Sequence, residues 1–394
     1  MKRFTKWPVL ILLGLFLLSV LVRAGQFNQE YIANSGIRLG QFTNTEVFYH
    51  TEYVLALYDR YDASQHLFAS YIRHDFTQFL QHKEIFETVY TSFPSAIFVV
   101  PYLVFELIHT PPTYLSLQIF SLALHLLCIL LFYRLLLLLT KDRAVSVLAA
   151  SAYIFATIAL QHHMNVYWAH QLLQPLFIYS LILFVKREGR LRPWEILGLA
   201  LAMSLITWTG VVASVGYALY GAWMLWRTRD RAYLSYLWAV FGVGLAMAAV
   251  YLQVFLATGA NLGDYLYALS HRADARSSVS SPPSFLIGAF FNALLIDMGL
   301  FAAVLPLLAW KNRPEHMEWA VLFISTFPLL ESFLLMGHDY TYGFGRLKWL
   351  VPLVLLIGIL GAKFAKTYRR LTVLAIFIII ASAIHVYFYW HLYT

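Results

Sequence analysis

From the first residue to the last, the chain alternates long apolar runs with short polar breaks. Runs of roughly 17 to 25 residues, the length a helix needs to cross about 30 Å of hydrocarbon, recur near 7–23, 114–139, 144–161, 171–185, 194–210, 211–226, 233–257, 285–310, 318–336, 349–365 and 371–390. The pattern predicts an all-α polytopic membrane protein with about eleven transmembrane helices, residues 1–394 forming one transmembrane domain. The stretch 94–108 is also apolar, but it is short, contains Pro94 and Pro101, carries Glu106 and ends at His109-Thr110-Pro111-Pro112.

Charge decides how that stretch is read, because Lys and Arg in short loops stay on the cytoplasmic side. If 94–108 does not cross, Lys2, Arg3 and Lys6 share a side with Lys141, Arg143, Lys186, Arg187, Arg227, Arg229, Lys311, Arg369 and Arg370, and most of the 28 Lys and Arg residues are cytoplasmic. If it crossed, every later cluster would oppose the first. The segment therefore reads as a re-entrant or interface-lying helix, tolerable where its backbone is shielded by protein. The N-terminus is then cytoplasmic, and 24–113 is a first extracytoplasmic loop with juxtamembrane helices. Within it, Glu46 to Tyr61 and Ser64 to His82 mix apolar and charged residues as amphipathic surface helices do. Smaller outer loops are 162–170, 258–284 and 337–348. The second of these ends in Ser277-Ser278-Val279-Ser280-Ser281-Pro282-Pro283 and reads as a mobile lid over a site or equally as an ordinary exposed loop.

Composition closes off other classes. The chain is 60% hydrophobic and 12% charged, against about 25% charged in soluble proteins. A net charge of +8 spread in clusters between apolar spans gives no basic face for nucleic acid. The single cysteine, Cys128, lies in an apolar run, so there is no disulfide framework and no Cys-based metal site. Met1 to Lys6 followed by Trp7 to Val22 has a signal-peptide layout. The Arg in Val22-Arg23-Ala24 makes a poor cut, and the stretch reads as a retained first span. No repeat at a fixed period and no Walker, GxGxxG, HExxH or CxxC motif is present.

Four polar stretches fall on the outer face in this topology. In Asn44-Thr45-Glu46-Val47-Phe48-Tyr49-His50-Thr51-Glu52, a carboxylate just above the bilayer suits a general base, since partial burial raises its pKa. The same residues equally suit a capped helix N-terminus with Glu46 favoured by the dipole. Gln161-His162-His163-Met164-Asn165-Val166-Tyr167-Trp168-Ala169-His170 gathers imidazoles that could ligate metal or contact phosphate, or simply lie at the interface. Gly337-His338-Asp339-Tyr340-Thr341-Tyr342-Gly343-Phe344-Gly345-Arg346-Leu347-Lys348 keeps two cations on the disfavoured side. That suggests an anion gripped by the fork of Arg346 and the point charge of Lys348, or a headgroup anchor. The loop 258–284 adds Asp264, His271, Arg272, Asp274 and Arg276. Glu331 and Asp297 lie inside spans, where ionisable residues are functional or paired.

In their order along the chain these features resemble the GT-C superfamily of polyprenyl-phosphate-dependent glycosyltransferases, above all its aminoarabinose transferase and protein O-mannosyltransferase branch. The likeness covers most of the chain. It rests on one span before a long outer loop, on Thr45-Glu46-Val47-Phe48-Tyr49 with Ala56, on Tyr90-Thr91-Ser92-Phe93-Pro94 before a short apolar helix, on Lys141-Asp142-Arg143 leading into a span, and on Tyr340 to Pro352. It implies inverting transfer of a sugar from a polyprenyl-phosphate donor to a lipid, glycan or protein acceptor, in the cytoplasmic membrane of a bacterium or archaeon and on its outer face. Glu46 is then the catalytic base, with Arg346, Lys348, His338, Tyr342, His170, Glu52 and Arg276 binding substrate and phosphate. Thr45 stands where the family's acidic pair begins with Asp, and His170 near where that branch often has Asp. Either Glu46 acts alone or the member is divergent. A divalent cation stays open, because no loop gathers a carboxylate cluster. The rival readings are a transporter or flippase of anionic or lipid-linked substrates, a non-catalytic assembly subunit, and a lipid-polymer ligase.

Overall fold

The computed structural model describes residues 6–27, 44–60, 63–64, 67–70, 94–165, 167–277, 283–309, 312–335, 339 and 343–393; of these, the side chains at 44–50, 165, 272–277, 283–286, 344 and 393 are not described. Every regular element in them is helical. The order is α1 (Trp7–Val22), α2 (Asn44–Arg60), α3 (Ala96–Leu107), α4 (Tyr114–Thr140), α5 (Arg143–Phe155), α6 (Thr157–Asn165), α7 (Ala169–Lys186), α8 (Pro193–Ile206), α9 (Trp208–Thr228), α10 (Leu237–Thr258), α11 (Leu262–Ser277), α12 (Pro283–Leu294), α13 (His316–Thr326), α14 (Leu329–Leu334), α15 (Leu350–Phe364) and α16 (Tyr368–Tyr393). A π-turn, Leu295–Gly299, follows α12, and a 3₁₀ helix, Gly343–Trp349, precedes α15.

The polar breaks set the helix ends. Thr113 caps α4 through a reciprocal box with Ser116. Lys141 then closes it in a left-handed conformation and Asp142 caps α5 by accepting from the Val145 amide at 3.1 Å. In the basic break 186–195, Glu195 accepts from the Arg192 amide at 2.9 Å and pairs with Arg187 at 2.5 Å, so the loop is folded back on α8 rather than left open. In the core, α5 packs on α1, α4, α15 and α16, while α8 packs on α9 and α10. A Cβ at Gly242 would lie 2.8 Å from the Leu197 carbonyl, so α8 and α10 approach this closely only because the residue is glycine.

The count of eleven spans is not borne out. Among the described residues six helices are long and apolar enough to cross, or seven if the bent pair α5 and α6 forms one span. The reason is that run length ignores backbone breaks. The extended backbone of Ala156 bends 143–165 by 61°, and extended Thr207 divides α8 from α9. The helices 7–22, 193–206 and 287–302 are apolar but short. The break in 143–165 is also a second irregular segment that periodicity did not disclose. The short α3 is 12 residues with Pro101 inside and buried, about 18 Å at 1.5 Å per residue, which is less than the roughly 30 Å of a hydrocarbon core. Of the two expected amphipathic helices, the first is α2, with Val54, Leu55, Leu57 and Tyr58 buried. Most of 64–82 lies outside the described residues. The stretch 258–284, read as a mobile loop, instead contains α11, which packs Tyr265 and Ala268 into a second apolar cluster with Leu57, Val250 and Val254.

Exposure now selects positions that test the topology drawn from charge. With buried Cys128 replaced by Ala, cysteines at Thr110 and Asp264 are expected to react with an impermeant thiol reagent from outside, and one at Arg190 only after permeabilisation. Tyr265 and Gly189 are buried and would mislead. Protection of position 110 until permeabilisation would mean that α3 crosses and would invert every later loop.

Candidate functional site

The 3₁₀ helix Gly343–Trp349 is the centre of a buried charge network. Arg346, 1% exposed, pairs with Asp297 at 2.5 Å through Nε and donates from Nη1 to the Asp339 carbonyl at 2.8 Å. Lys348 pairs with Glu331 at 3.0 Å and with Asp339 at 2.9 Å. Ser332 donates to Asp339 at 2.5 Å and accepts from the Trp349 indole at 2.9 Å. The π-turn carries Asp297, which is buried, and such turns commonly mark functional sites. A Cβ at Gly345 would fall 2.1 Å from Asp339 Oδ1, so glycine is what lets this carboxylate lie against the turn. From Glu331 the network continues to the Thr209 hydroxyl, which also bonds His170 Nε2 at 3.2 Å. A small cavity of about 20 Å³ adjoins it, lined by His170, Gln174, Thr209 and Lys348 on the polar side and by Leu173, Phe177, Pro328 and Val351.

A second polar cluster meets the first through α6. His125 of α4 and His163 of α6 stack with ring centres 4.4 Å apart and 1° between planes. The Tyr153 hydroxyl lies 3.2 Å from His163 Nε2 and donates to Gln174 Oε1 at 2.5 Å. Gln174 in turn donates to the Leu347 carbonyl at 3.1 Å, between the two cations. His162 faces the other side, where a Cβ on Gly343 would be 3.0 Å from its Nε2 and 3.1 Å from Arg346 Nη2. Neither ring nitrogen of His162 or of His125 has a hydrogen-bond partner among the described residues. Arg23, buried at the end of α1, bonds Ser19 O, Ser19 Oγ and Leu160 O.

The residues singled out from sequence are distributed as follows. Arg346, Lys348 and His170 come together in one network. The two cations expected to await an anion are instead neutralised by Asp297, Asp339 and Glu331, which sequence could not show because Asp297 is 49 residues from Arg346. Glu46 lies in the first turn of α2, and its side chain is not described. Glu52 is half-buried on the same helix. Arg276 is in the last turn of α11, its side chain likewise not described, and His338 and Tyr342 lie outside the described residues. Gln174, Thr209, Tyr153 and Arg23 were not foreseen as site residues. Their only signal is a polar side chain inside an apolar run. Among the described residues no three His, Cys, Asp or Glu side chains are grouped to hold a metal ion.

No protein-family model matches the chain, and no curated protein does. Solved structures do. The oligosaccharyltransferase AglB from Archaeoglobus fulgidus, in complex with an inhibitory peptide and a dolichol-phosphate, matches over 98% of this chain with TM-score 0.60 and 12% identity. The oligosaccharyltransferase of that organism tethered to an acceptor peptide containing the NVT sequon matches over 98% with TM-score 0.59 and 12% identity. Its complex with Zn and sulfate matches over 96% with TM-score 0.56 and 14% identity. The chain spans little more than half of those proteins, 56%, 55% and 52% of their lengths. These matches do not single out the aminoarabinose and O-mannosyl branch. What they share with this membrane protein is the fold.

Proposed function

We propose that this chain is a membrane glycosyltransferase that moves a sugar from a polyprenyl-phosphate donor to an acceptor on the extracytoplasmic face, with inversion. The observation that carries the reading is the fold held in common, along nearly the whole chain, with a protein captured with dolichol-phosphate. The packing supports it. Helix α2, which bears Glu46, packs on α6, and α6 packs on the 3₁₀ turn of Arg346 and Lys348. The first outer segment and the late basic segment thus meet on the helix of His162 and His163.

In this reading Glu46 takes the proton from the acceptor as the acceptor oxygen or nitrogen attacks the anomeric carbon. The bond from that carbon to the donor phosphate breaks, and the phosphate leaves with the electron pair. Arg346 and Lys348 face the leaving group as a pre-set wall rather than as two free cations. The network holds Asp297, Asp339 and Glu331 against them, and a phosphate approaching it has to compete with these carboxylates. Their first task is to fix the turn. Arg276, His170, Glu52, His338 and Tyr342 are the remaining binding candidates. The described residues do not gather a metal site, so no step is drawn through a divalent ion.

Glu46→Gln keeps the shape of the side chain but removes the proton acceptor. It is expected to lower transfer by about 10² or more while leaving donor binding and the melting temperature unchanged. Glu52→Gln should do much less. Turnover in nanodiscs with a labelled donor reads the difference, and near-normal transfer by Glu46→Gln would exclude it as the base.

Arg346→Ala strands Asp297 in a buried site, a loss typically worth about 3–5 kcal/mol, and should lower thermal stability in detergent sharply. Adding Asp297→Asn should recover much of that stability. If the double variant also recovers donor affinity, Arg346 positions the turn. Stability regained without affinity would make it a direct phosphate ligand. An Arg346→Ala protein as stable as wild type would contradict the ion pair itself.

A further inference from the structure

Of the three buried cations among the described residues, Arg346 and Lys348 are ion-paired and Arg23 is not. Arg23 closes the first span with its side chain fully buried, where an isolated charge is costly. Its Nε and Nη2 turn back on Ser19, donating to the carbonyl at 2.8 Å and to the hydroxyl at 2.9 Å. Its Nη1 reaches across to α6 and donates to the Leu160 carbonyl at 3.2 Å.

That carbonyl is of a kind that suits a cation. Three residues on, His163 has φ −86° and ψ 16°, which interrupts the helical path of α6. Carbonyls in the last turn before such a break are short of intrahelical donors and carry the negative end of the helix dipole. The guanidinium therefore finds at the end of α6 the partial counter-charge that no carboxylate supplies. A second side chain holds the same end. Gln171, in the first turn of α7, donates to the His162 carbonyl at 2.8 Å and accepts from the Trp168 amide at 3.0 Å. Helices α1 and α7 thus grip carbonyls two residues apart. The α1 side of the grip is itself tied down, since Gln118 of α4 donates to the Gln26 carbonyl at 3.0 Å and Trp390 of α16 to the Val22 carbonyl at 3.0 Å. The residue so placed is His162. Its ring is buried, with Nε2 3.0 Å from where a Cβ on Gly343 would lie and Arg346 Nη2 3.1 Å from the same point. Because neither ring nitrogen has a hydrogen-bond partner among the described residues, the ring takes its place beside the 3₁₀ turn from the backbone that carries it.

We propose that Arg23 is a positioning residue for the candidate site: together with Gln171 it clamps the end of α6 and so holds His162 against Gly343 and Arg346. The first span is then part of the frame of the site and not only a membrane anchor. The consequence for sugar transfer rests on the function proposed above, whereas the clamp does not. Without the guanidinium the end of α6 keeps one of its two holds, and His162 can give way when the 3₁₀ turn presses on it.

The test is a double-mutant cycle read as the melting temperature of the purified protein in nanodiscs. Arg23→Met keeps an apolar stem and removes every N–H donor, and Gly343→Ala sets a methyl against His162 and Arg346. No hydrogen bond or ion pair joins Arg23 to the 3₁₀ turn among the described residues, so the two losses add if each residue acts alone. With the clamp released, Gly343→Ala should cost about half as many degrees in the Arg23→Met background as in the wild type. Arg23→Lys, which keeps the charge and a donor, should preserve most of the wild-type cost. Gly361→Ala, whose methyl meets the side chains of Leu374 and Val145, should cost the same in both backgrounds. Additive losses at Gly343 would overturn the clamp, and so would an equal shrinkage at Gly361, which would show general softening. If Arg23→Met does not fold, Ser19→Ala, which removes the hydroxyl that orients Nη2, replaces it in the cycle with a smaller coupling of the same sign. In transfer, Arg23→Met should lower turnover per folded molecule by about tenfold, since small misplacements of a site group are costly, and Arg23→Lys should recover part of it. Coupling with unchanged turnover would remove Arg23 from the site. A wild-type protein that transfers no sugar would instead overturn the proposed function, and the melting cycle alone would decide the clamp.

Discussion

A charged side chain inside a membrane bundle must find its counter-charge within the protein, and around this requirement one end of the structure is arranged. Arg346 and Lys348 enter the bundle on one turn of 3₁₀ helix, and the carboxylates that neutralise them come from the π-turn, from α14 and from the segment before the 3₁₀ helix. In a low dielectric the loss of one partner leaves a charge that neither water nor lipid can solvate. The network therefore fixes the relative positions of these segments more stringently than apolar packing, which tolerates sliding. The glycines at 343 and 345 follow from it, since a side chain at either would press on His162, Arg346 or Asp339.

The same requirement explains why helix breaks accumulate at this end of the bundle. The bend at Ala156, the extended Thr207 and the π-turn at 295–299 expose backbone groups and redirect side chains where straight helices would carry them past one another. The bend turns α6 so that His163 meets His125 and Tyr153 while His162 lies beside Gly343 and Arg346. Thr207 lets Thr209 open α9 next to Glu331 and His170. Irregular backbone at membrane depth is tolerated where protein surrounds it, and the buried polar side chains here supply those surroundings.

The two polar clusters are consequently joined through His162 of α6 and Gln174 of α7. The network around Arg346 and Lys348 sets three carboxylates against two cations, so these charges are fixed by one another before any ligand arrives.

The amino-acid sequence by itself determined that the chain is helical and membrane-embedded, because apolar runs of bilayer length leave no other way to satisfy the backbone. It also determined that 94–108 is apolar but short and interrupted by proline, that Lys141-Asp142-Arg143 ends one helix and starts the next, and that the ionisable residues Glu331 and Asp297 are exceptional. The tertiary structure alone decided which charges pair. Asp297 and Arg346 are 49 positions apart, Thr209 and Glu331 are 122 apart, and no local pattern relates them. It alone decided the number of long spans as well, since a break of a single residue at Ala156 or Thr207 leaves hydropathy almost unchanged while it redirects a helix. Hydropathy is a sum over neighbours along the chain, whereas a charge pair or a bend is fixed by whatever lies across the bundle.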